Sequence, residues 1–341
     1  MRLRRSDCSG PGLTRRRCGN GFQFLDERGD PIDDEQTLER VRGLVIPPAW
    51  RDVWICPAPN GHIQATGLDE AGRKQYRYHD AWRVGRDAAK FDDMLAFARL
   101  LPALREEMAR ELARGEPDRD GVLAAAVRLL DRGFFRVGGE SYVEENGSFG
   151  LATIRREHVT QRGATVVFDY PAKSGKRRVQ AVVDPEVAAV VRTLKRRRGG
   201  GEELLAYKDR GRWRDVRSED VNGWLKDRTG RDVSAKDFRT WGATVLAAVG
   251  LAVSGRANAT RTARNRAVTR VVKEVAGYLG NTPAVARSSY IDPRVIDRFA
   301  DGQAIDVATV GADPGDPAIQ GPVEQAVLEL IEAGGRPTRL G

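Results

Sequence analysis

The stretch Leu279-Gly280-Asn281-Thr282-Pro283-Ala284-Val285-Ala286-Arg287-Ser288-Ser289-Tyr290-Ile291-Asp292-Pro293 sets the reading of the whole chain. Just upstream, Val268, Val271, Val272, Val275 and Leu279 recur at helical spacing. They predict a helix that packs this face inward and stops at Gly280, a residue free to adopt the left-handed capping conformation. Thr282 and Pro283 restart the chain, since threonine caps helix N-termini and proline fits the first turn, so a short helix should end near Tyr290. A phenolic hydroxyl at the end of a short helix, flanked by cationic and amide donors, is what covalent attack on a phosphodiester needs. The plain alternative is a tyrosine ring that only packs. The rest of the sequence has to decide between the two.

Working outward, a chain of 341 residues is long for one hydrophobic core, and two domains are expected. Charged residues make up 31% and hydrophobic ones 40%, and no apolar run approaches the roughly 20 residues of a membrane span. Met1-Arg2-Leu3-Arg4-Arg5-Ser6 is basic but has no apolar segment behind it, so no secretory signal is read and a cytoplasmic location is expected. Cys8, Cys18 and Cys56, with His62, His79 and His158, make neither a disulfide framework nor a metal-ligand spacing. The expectation is reduced thiols, no metal and no cofactor. Lys and Arg number 57 against 48 Asp and Glu, a net charge of +9 dominated by forked guanidinium groups, which favours nucleic acid as the partner.

The predicted fold class is α+β, with a small β-rich domain over 1–90 and a larger, mainly helical domain over 91–341. From Gly21 to about Tyr78, short apolar runs (Phe22 to Leu25, Leu44 to Ile46, Val53 to Cys56, Ile63 to Thr66) are separated by turn residues such as Arg28-Gly29-Asp30 and Pro47-Pro48. Gly72-Arg73-Lys74-Gln75-Tyr76-Arg77-Tyr78-His79 then interleaves bases, aromatics and an amide, a composition suited to DNA contact or equally to an exposed strand. A linker is expected at 83–90, a helix opening at Asp92-Asp93, another beginning at Pro102, and a third apolar face from Val122 to Leu130 that runs out at Gly138-Gly139. Three alternating runs, Leu151 to Val159, Thr165 to Tyr170 and Arg177 to Val183, predict an antiparallel meander with Lys173 at a hairpin tip. Helices follow. One is capped by Asp184-Pro185 and runs into a flexible basic loop at Lys195 to Gly201. Another, capped by Ser234, has the apolar stripe Phe238, Trp241, Val245, Leu246 and Val249, with Arg239 one residue off it. Beyond about Gly302 the pattern is weak until a terminal helix at Val323 to Ile331.

Five separate segments, in order, resemble one family: Gly72 to Tyr78, Phe135-Arg136-Val137-Gly138, the hairpin around Lys173-Ser174-Gly175, Ala235-Lys236-Asp237-Phe238-Arg239-Thr240-Trp241, and Leu279 to Pro293. The chain resembles the small type IB DNA topoisomerases of poxviruses and bacteria, which share a catalytic fold with tyrosine recombinases. Each motif is weak alone; the ordered set is specific, and it covers roughly residues 20 to 300. The resemblance implies relaxation of supercoiled double-stranded DNA through a transient 3′-phosphotyrosyl link, without ATP or metal. It implies Tyr290 as nucleophile, Arg136 and Arg239 as the paired catalytic arginines, and Lys173 as the donor of a proton to the leaving 5′ oxygen. Arg73, Lys74, Gln75, Tyr76 and Tyr78 would contact DNA from the first domain and Tyr142 from the second. A monomer closing as a clamp around the duplex, associated with a bacterial nucleoid, is the implied setting. The alternatives are a tyrosine site-specific recombinase and an architectural DNA-binding protein that has lost catalysis.

Elementary chemistry fits these roles. In-line displacement at phosphorus spreads charge over the non-bridging oxygens, where fixed cations stabilise the transition state most. A phenol of pKa about 10 is scarcely ionised at neutral pH and gains from neighbouring arginines. The sequence departs from the family pattern at one point: nine residues before the tyrosine, where histidine is usual, stands Asn281. Its amide can donate to a phosphate oxygen but carries no charge and cannot titrate. A hydrogen bond to a charged group is worth roughly 1.5–3 kcal/mol, so the exchange is expected to slow the reaction on the order of 10–100-fold.

Overall fold

A computed structural model of the protein describes residues 2–254, 260–306 and 320–333. The chain divides into two compact units, Met1–Lys90 and Phe91–Gly341.

The first unit is built on a five-stranded antiparallel sheet. Its strands are β1 (Leu13–Cys18), β2 (Gly21–Leu25), β3 (Arg51–Ile55), β4 (Ile63–Leu68) and β5 (Lys74–Tyr78), in the order β2-β1-β3-β4-β5, and helix α1 (Glu35–Gly43) is inserted after β2. Leu13, Val41, Val53, Ile55 and Ala65 form its small core, with Phe24, Leu44, Ile46 and Trp50 packed against it. The expected strand at Leu44 to Ile46 does not form. Val45 sits at φ 49 and is 78% exposed, so the run turns while Leu44 and Ile46 pack inward. In its place β1, whose arginines hide the alternation, enters the sheet by pairing with both β2 and β3. Arg15 is held there by the carbonyls of Ile46 (3.1 Å) and Trp50 (2.9 Å) and stacks over Phe22.

Residues 83–90 are helical: α2 runs from Asp80 to Ala113, so helix formation starts well before Asp92 and does not restart at Pro102. Phe91, Met94, Phe97, Ala98, Leu101, Leu104, Met108 and Leu112 make a continuous buried stripe on both sides of the proline. Burial of that stripe offsets the one backbone hydrogen bond that Pro102 cannot donate. Helix α3 (Arg119–Gly133) ends at Phe134, which takes the left-handed conformation (φ 52), several residues before the glycine pair expected to stop it. Helix α4 (Glu140–Asn146) follows. The meander consists of β6 (Val159–Arg162), β7 (Thr165–Pro171) and β8 (Arg177–Val183), antiparallel in the order β6-β7-β8. Its first strand starts later than the alternation predicted, because Leu151 and Ile154 are wholly buried around a 3-10 turn and serve the helical core.

Helix α5 (Pro185–Arg196) starts at Asp184, whose buried carboxylate accepts from Val187 N (3.1 Å) and pairs with Arg128 (3.0 Å) and Arg132 (2.9 Å). The basic segment at the end of α5 is exposed at Arg196 and from Arg198 to Gly200, but Arg197 is buried, and its guanidinium donates to the carbonyls of Leu194 (3.1 Å), Leu204 (2.8 Å), Gly201 (3.3 Å) and Glu203. A hairpin that the sequence reading missed comes next, β9 (Ala206–Asp209) and β10 (Arg212–Asp215), joined through Arg210 (φ 49) and Gly211 (φ 81). The remaining helices are α6 (Ser218–Thr229), α7 (Ala235–Ser254), α8 (Arg261–Leu279), α9 (Pro283–Ser289), α10 (Pro293–Ala300) and α11 (Pro322–Glu332). The terminal α11 packs on α7 and α10. Its Glu324 accepts from Trp241 Nε1 (2.7 Å) and pairs with Arg105 (2.6 Å), which also holds Asp131 (2.9 Å).

Candidate active site

Arg136 lies in the extended stretch after α3. Phe135 is buried edge-on against Phe168, their ring centroids 4.8 Å apart. The carbonyls of Arg136 and Val137 accept from Leu151 N and Ala152 N, each at 2.8 Å. That pairing brings two glycines face to face: a Cβ on Gly150 would lie 2.4 Å from the Gly138 α-carbon, so only glycine fits. With its backbone fixed, Arg136 donates to the carbonyl of Gly280 (3.3 Å) and to Asn281 Oδ1.

Arg239 is not at the edge of the α7 seam but inside it, 3% exposed. Its Nη1 donates to the carbonyl of Phe134 and its Nη2 to that of Leu279 (2.9 Å), while Nε is buried without a partner. The guanidinium carbon stands 5.3 Å from the centre of the Tyr290 ring. Burial, and then the like charge of Arg136, lower the Arg239 pKa to about 10. No carboxylate pairs with it among the described residues.

The turn between α8 and α9 forms as its residues demand. Gly280 adopts φ 63, Asn281 N returns to the carbonyl of Ala276 (2.9 Å), and the Thr282 hydroxyl accepts from Val285 N (3.3 Å). The Nδ2 of Asn281 is buried and unpartnered. Tyr290 closes α9, its N–H on the Ala286 carbonyl (3.0 Å) and its own carbonyl receiving the Thr244 hydroxyl (3.3 Å), which in turn accepts from Asp292 N (3.1 Å). Burial alone would raise the phenol's pKa. The charges of Arg239 and Arg136, a hydrogen bond from Arg239, and the charge of Lys236 outweigh it, and the pKa falls below its ordinary value.

Lys173 opens a 3-10 turn, Lys173–Gly175, at the tip of the β7–β8 hairpin, and its side chain is exposed. A cleft of about 690 Å³ brings Lys173, Arg136, Arg239 and Asn281 together. Tyr290 is not part of that lining and joins the group through Arg239. The sequence reading overlooked Arg178, which lines the same cleft from β8, and Lys236, one helical turn before Arg239 on α7. The inward alternation of Arg178 with Gln180 and Val182 was the available signal.

The residues predicted to contact DNA from the first unit do not share one face. Lys74, Tyr76 and Tyr78 project to one side of β5, with the Tyr76 and Tyr78 rings 6.1 Å apart and Tyr76 45% exposed. Gln75 is turned the other way onto Asp69 (2.9 Å), which also holds Arg73 (2.9 Å). Tyr142 falls on α4, and its side chain lies outside the described residues.

Two family models match the chain. Residues 79–304 match the catalytic core of eukaryotic DNA topoisomerase I, and residues 21–69 match the N-terminal domain of bacterial DNA topoisomerase IB. Among individual proteins, the DNA topoisomerase 1B of Acanthamoeba polyphaga mimivirus is 26% identical over 322 residues, covering 89% of this chain and 92% of the viral one. Monkeypox virus DNA topoisomerase I and vaccinia virus (strain Copenhagen) DNA topoisomerase 1B are each 19% identical over 281 residues, covering 81% of this chain and 86% of theirs. A recombinase or a non-catalytic architectural protein is not favoured by these matches.

Proposed function

The chain belongs to the type IB DNA topoisomerases, enzymes that cleave and religate one DNA strand, and on that premise we propose that Tyr290 is its nucleophile and that Arg136, Arg239, Lys173 and Asn281 complete the active site. Tyr290 Oη, relieved of its proton to solvent, attacks the scissile phosphorus in line with the 5′ oxygen. A phosphorus–oxygen bond to tyrosine forms as the bond to the 5′ oxygen breaks, and Lys173 gives the departing oxygen a proton. Arg136 and Arg239 offer forked donors to the two non-bridging oxygens as charge builds on them, with Asn281 Nδ2 as a neutral third donor. One phosphodiester is exchanged for another, so religation is the same path reversed and consumes no ATP.

One contact carries this reading: Arg239, buried and without a carboxylate partner among the described residues, lies 5.3 Å from the Tyr290 ring while anchored to the turn that also anchors Arg136. A fixed cation beside the phenol helps both ionisation and the transition state. Relaxation of supercoiled plasmid in EDTA without ATP, with the covalent adduct trapped by denaturation and mapped by mass spectrometry, tests it. The adduct should sit on Tyr290 and vanish in Tyr290→Phe; an adduct that persists in that variant would falsify the assignment.

The division of labour between the units belongs to the same proposal. Lys74, Tyr76 and Tyr78 on β5 are proposed to contact the duplex from the β-rich unit, while the helical unit performs catalysis, with one chain closing around the DNA. Affinity should then fall steeply as salt rises, since each neutralised phosphate releases counterions. Association with a nucleoid follows from DNA as the substrate.

A further inference from the structure

Unlike Arg177, which also lines the cleft but pairs with Asp169, Arg178 has no carboxylate partner among the described residues. It stands on β8, opposite Tyr170 in the β7–β8 register, five residues after Lys173. Its Nη2 donates to the carbonyl of Tyr278 (2.8 Å) and to Gln180 Oε1 (2.9 Å). Its Nε is buried without a partner, and no carboxylate pairs with it among the described residues. A Cβ on Gly280 would lie 3.0 Å from its Nη1, so the guanidinium rests directly against the α8–α9 turn. Across the strand pair, buried Tyr170 stacks on Phe135 (6.4 Å), the neighbour of Arg136.

Arg178 therefore ties the β7–β8 hairpin to the α8–α9 turn. The hairpin carries Lys173 at its exposed tip. The turn supplies the carbonyl of Leu279 to Arg239, and the carbonyl of Gly280 and the amide of Asn281 to Arg136. A lysine at a hairpin tip has many orientations, and a proton donor misplaced by about 1 Å loses on the order of 100-fold in rate. We propose that Arg178 is a positioning residue: by gripping the Tyr278 carbonyl it fixes the β7–β8 hairpin against the α8–α9 turn and so holds Lys173 where the leaving 5′ oxygen emerges. The inference rests on Lys173 as the proton donor, so the experiment probes both residues.

The test uses the full-length protein and two suicide duplexes, one ordinary and one with sulfur replacing the bridging 5′ oxygen at the scissile phosphate. A thiolate leaves without protonation, so any defect in delivering the proton should shrink on the sulfur substrate. Arg178→Met keeps the apolar stem and its packing, and Arg178→Lys keeps a donor for the carbonyl. With Arg178→Met, single-turnover cleavage of the ordinary duplex should fall about 10–100-fold, and by no more than about 3-fold on the sulfur duplex. Arg178→Lys should recover part of the loss, and noncovalent affinity, measured in a Tyr290→Phe background, should stay within about 3-fold. Equal losses on both duplexes, a loss of affinity as large as the loss of rate, or no loss at all would each overturn the proposal. Lys173→Ala run in parallel separates the two failures. If its own defect is not relieved by sulfur, the proton-donor reading of Lys173 is wrong; if it is relieved and that of Arg178→Met is not, only the role of Arg178 is wrong.

Discussion

Arg197 and Arg239 are the two buried arginines among the described residues, and burial lowers the pKa of each, yet their surroundings differ. Arg197 is closed in by four carbonyls, with the Asp215 carboxylate 3.8 Å away, and the loop after α5 wraps around it. Both have an unpartnered Nε, an aromatic ring and an arginine as neighbours, but Arg239 has only two carbonyls and no carboxylate partner among the described residues, and it opens on a cleft. The first charge is satisfied by the protein. The second is left in want of an anion, at a cost that binding of a phosphate would offset. Depth of burial does not mark a functional arginine; what separates the two is whether carbonyls and a carboxylate already answer its charge.

The sharpest way to break this contrast is at the group Arg239 serves. Tyr290→Phe should abolish adduct and relaxation while leaving noncovalent DNA affinity within about 3-fold, because only the hydroxyl is removed. Next, Arg239→Ala should slow single-turnover cleavage on the order of 1,000-fold, or about 4 kcal/mol of transition-state stabilisation. Arg197→Ala should instead cost about 3 kcal/mol of unfolding free energy, read in urea, because it strands buried carbonyls, with cleavage by the folded fraction nearly unchanged. If the two arginines exchanged these phenotypes, the distinction would collapse.

The pH profile offers a finer test. The cleavage rate should rise with pH, up to about tenfold per unit, and level off at the Tyr290 pKa, which lies below that of a free phenol. Arg136→Gln removes a neighbouring positive charge, so it should move that plateau to higher pH; a shift in the other direction would show that another group titrates. At Asn281 the effect is smaller. Asn281→His should speed cleavage about tenfold and add a limb near pH 6.5 that the native enzyme lacks. Smallest is Trp241→Phe, which loses one hydrogen bond to Glu324 and should lower stability by about 1 kcal/mol, read as a shift in thermal midpoint, with cleavage unaffected.

What the sequence revealed depended on whether a signal was local. The Gly280 cap, the Thr282-Pro283 restart, the Asp184-Pro185 start and the Lys173 hairpin are each written within a few residues, and each formed. β1 was illegible because Arg15, Arg16 and Arg17 carry no alternation and the strand is held by pairing on both sides. Pro102 misled because a helix breaker was outweighed by a buried stripe visible only in the packed structure. The turn of Arg210 and Gly211 was readable but fell in a stretch assigned wholly to helices. In the site, residue types and order pointed to Arg136, Lys173, Arg239 and Tyr290. The contact of Arg178 with Tyr278, one hundred residues away in sequence, left no local trace.

The hydrogen bond from Trp241 to Glu324 also has a meaning in time. A polypeptide emerges from the ribosome N-terminus first, so Arg136, Arg239 and Tyr290 are all made before Glu324. The helix that carries Arg239 thus waits for one of the later parts of the chain to receive its bracing carboxylate. What this later-made contact adds is stability to that helix, not chemistry at the site.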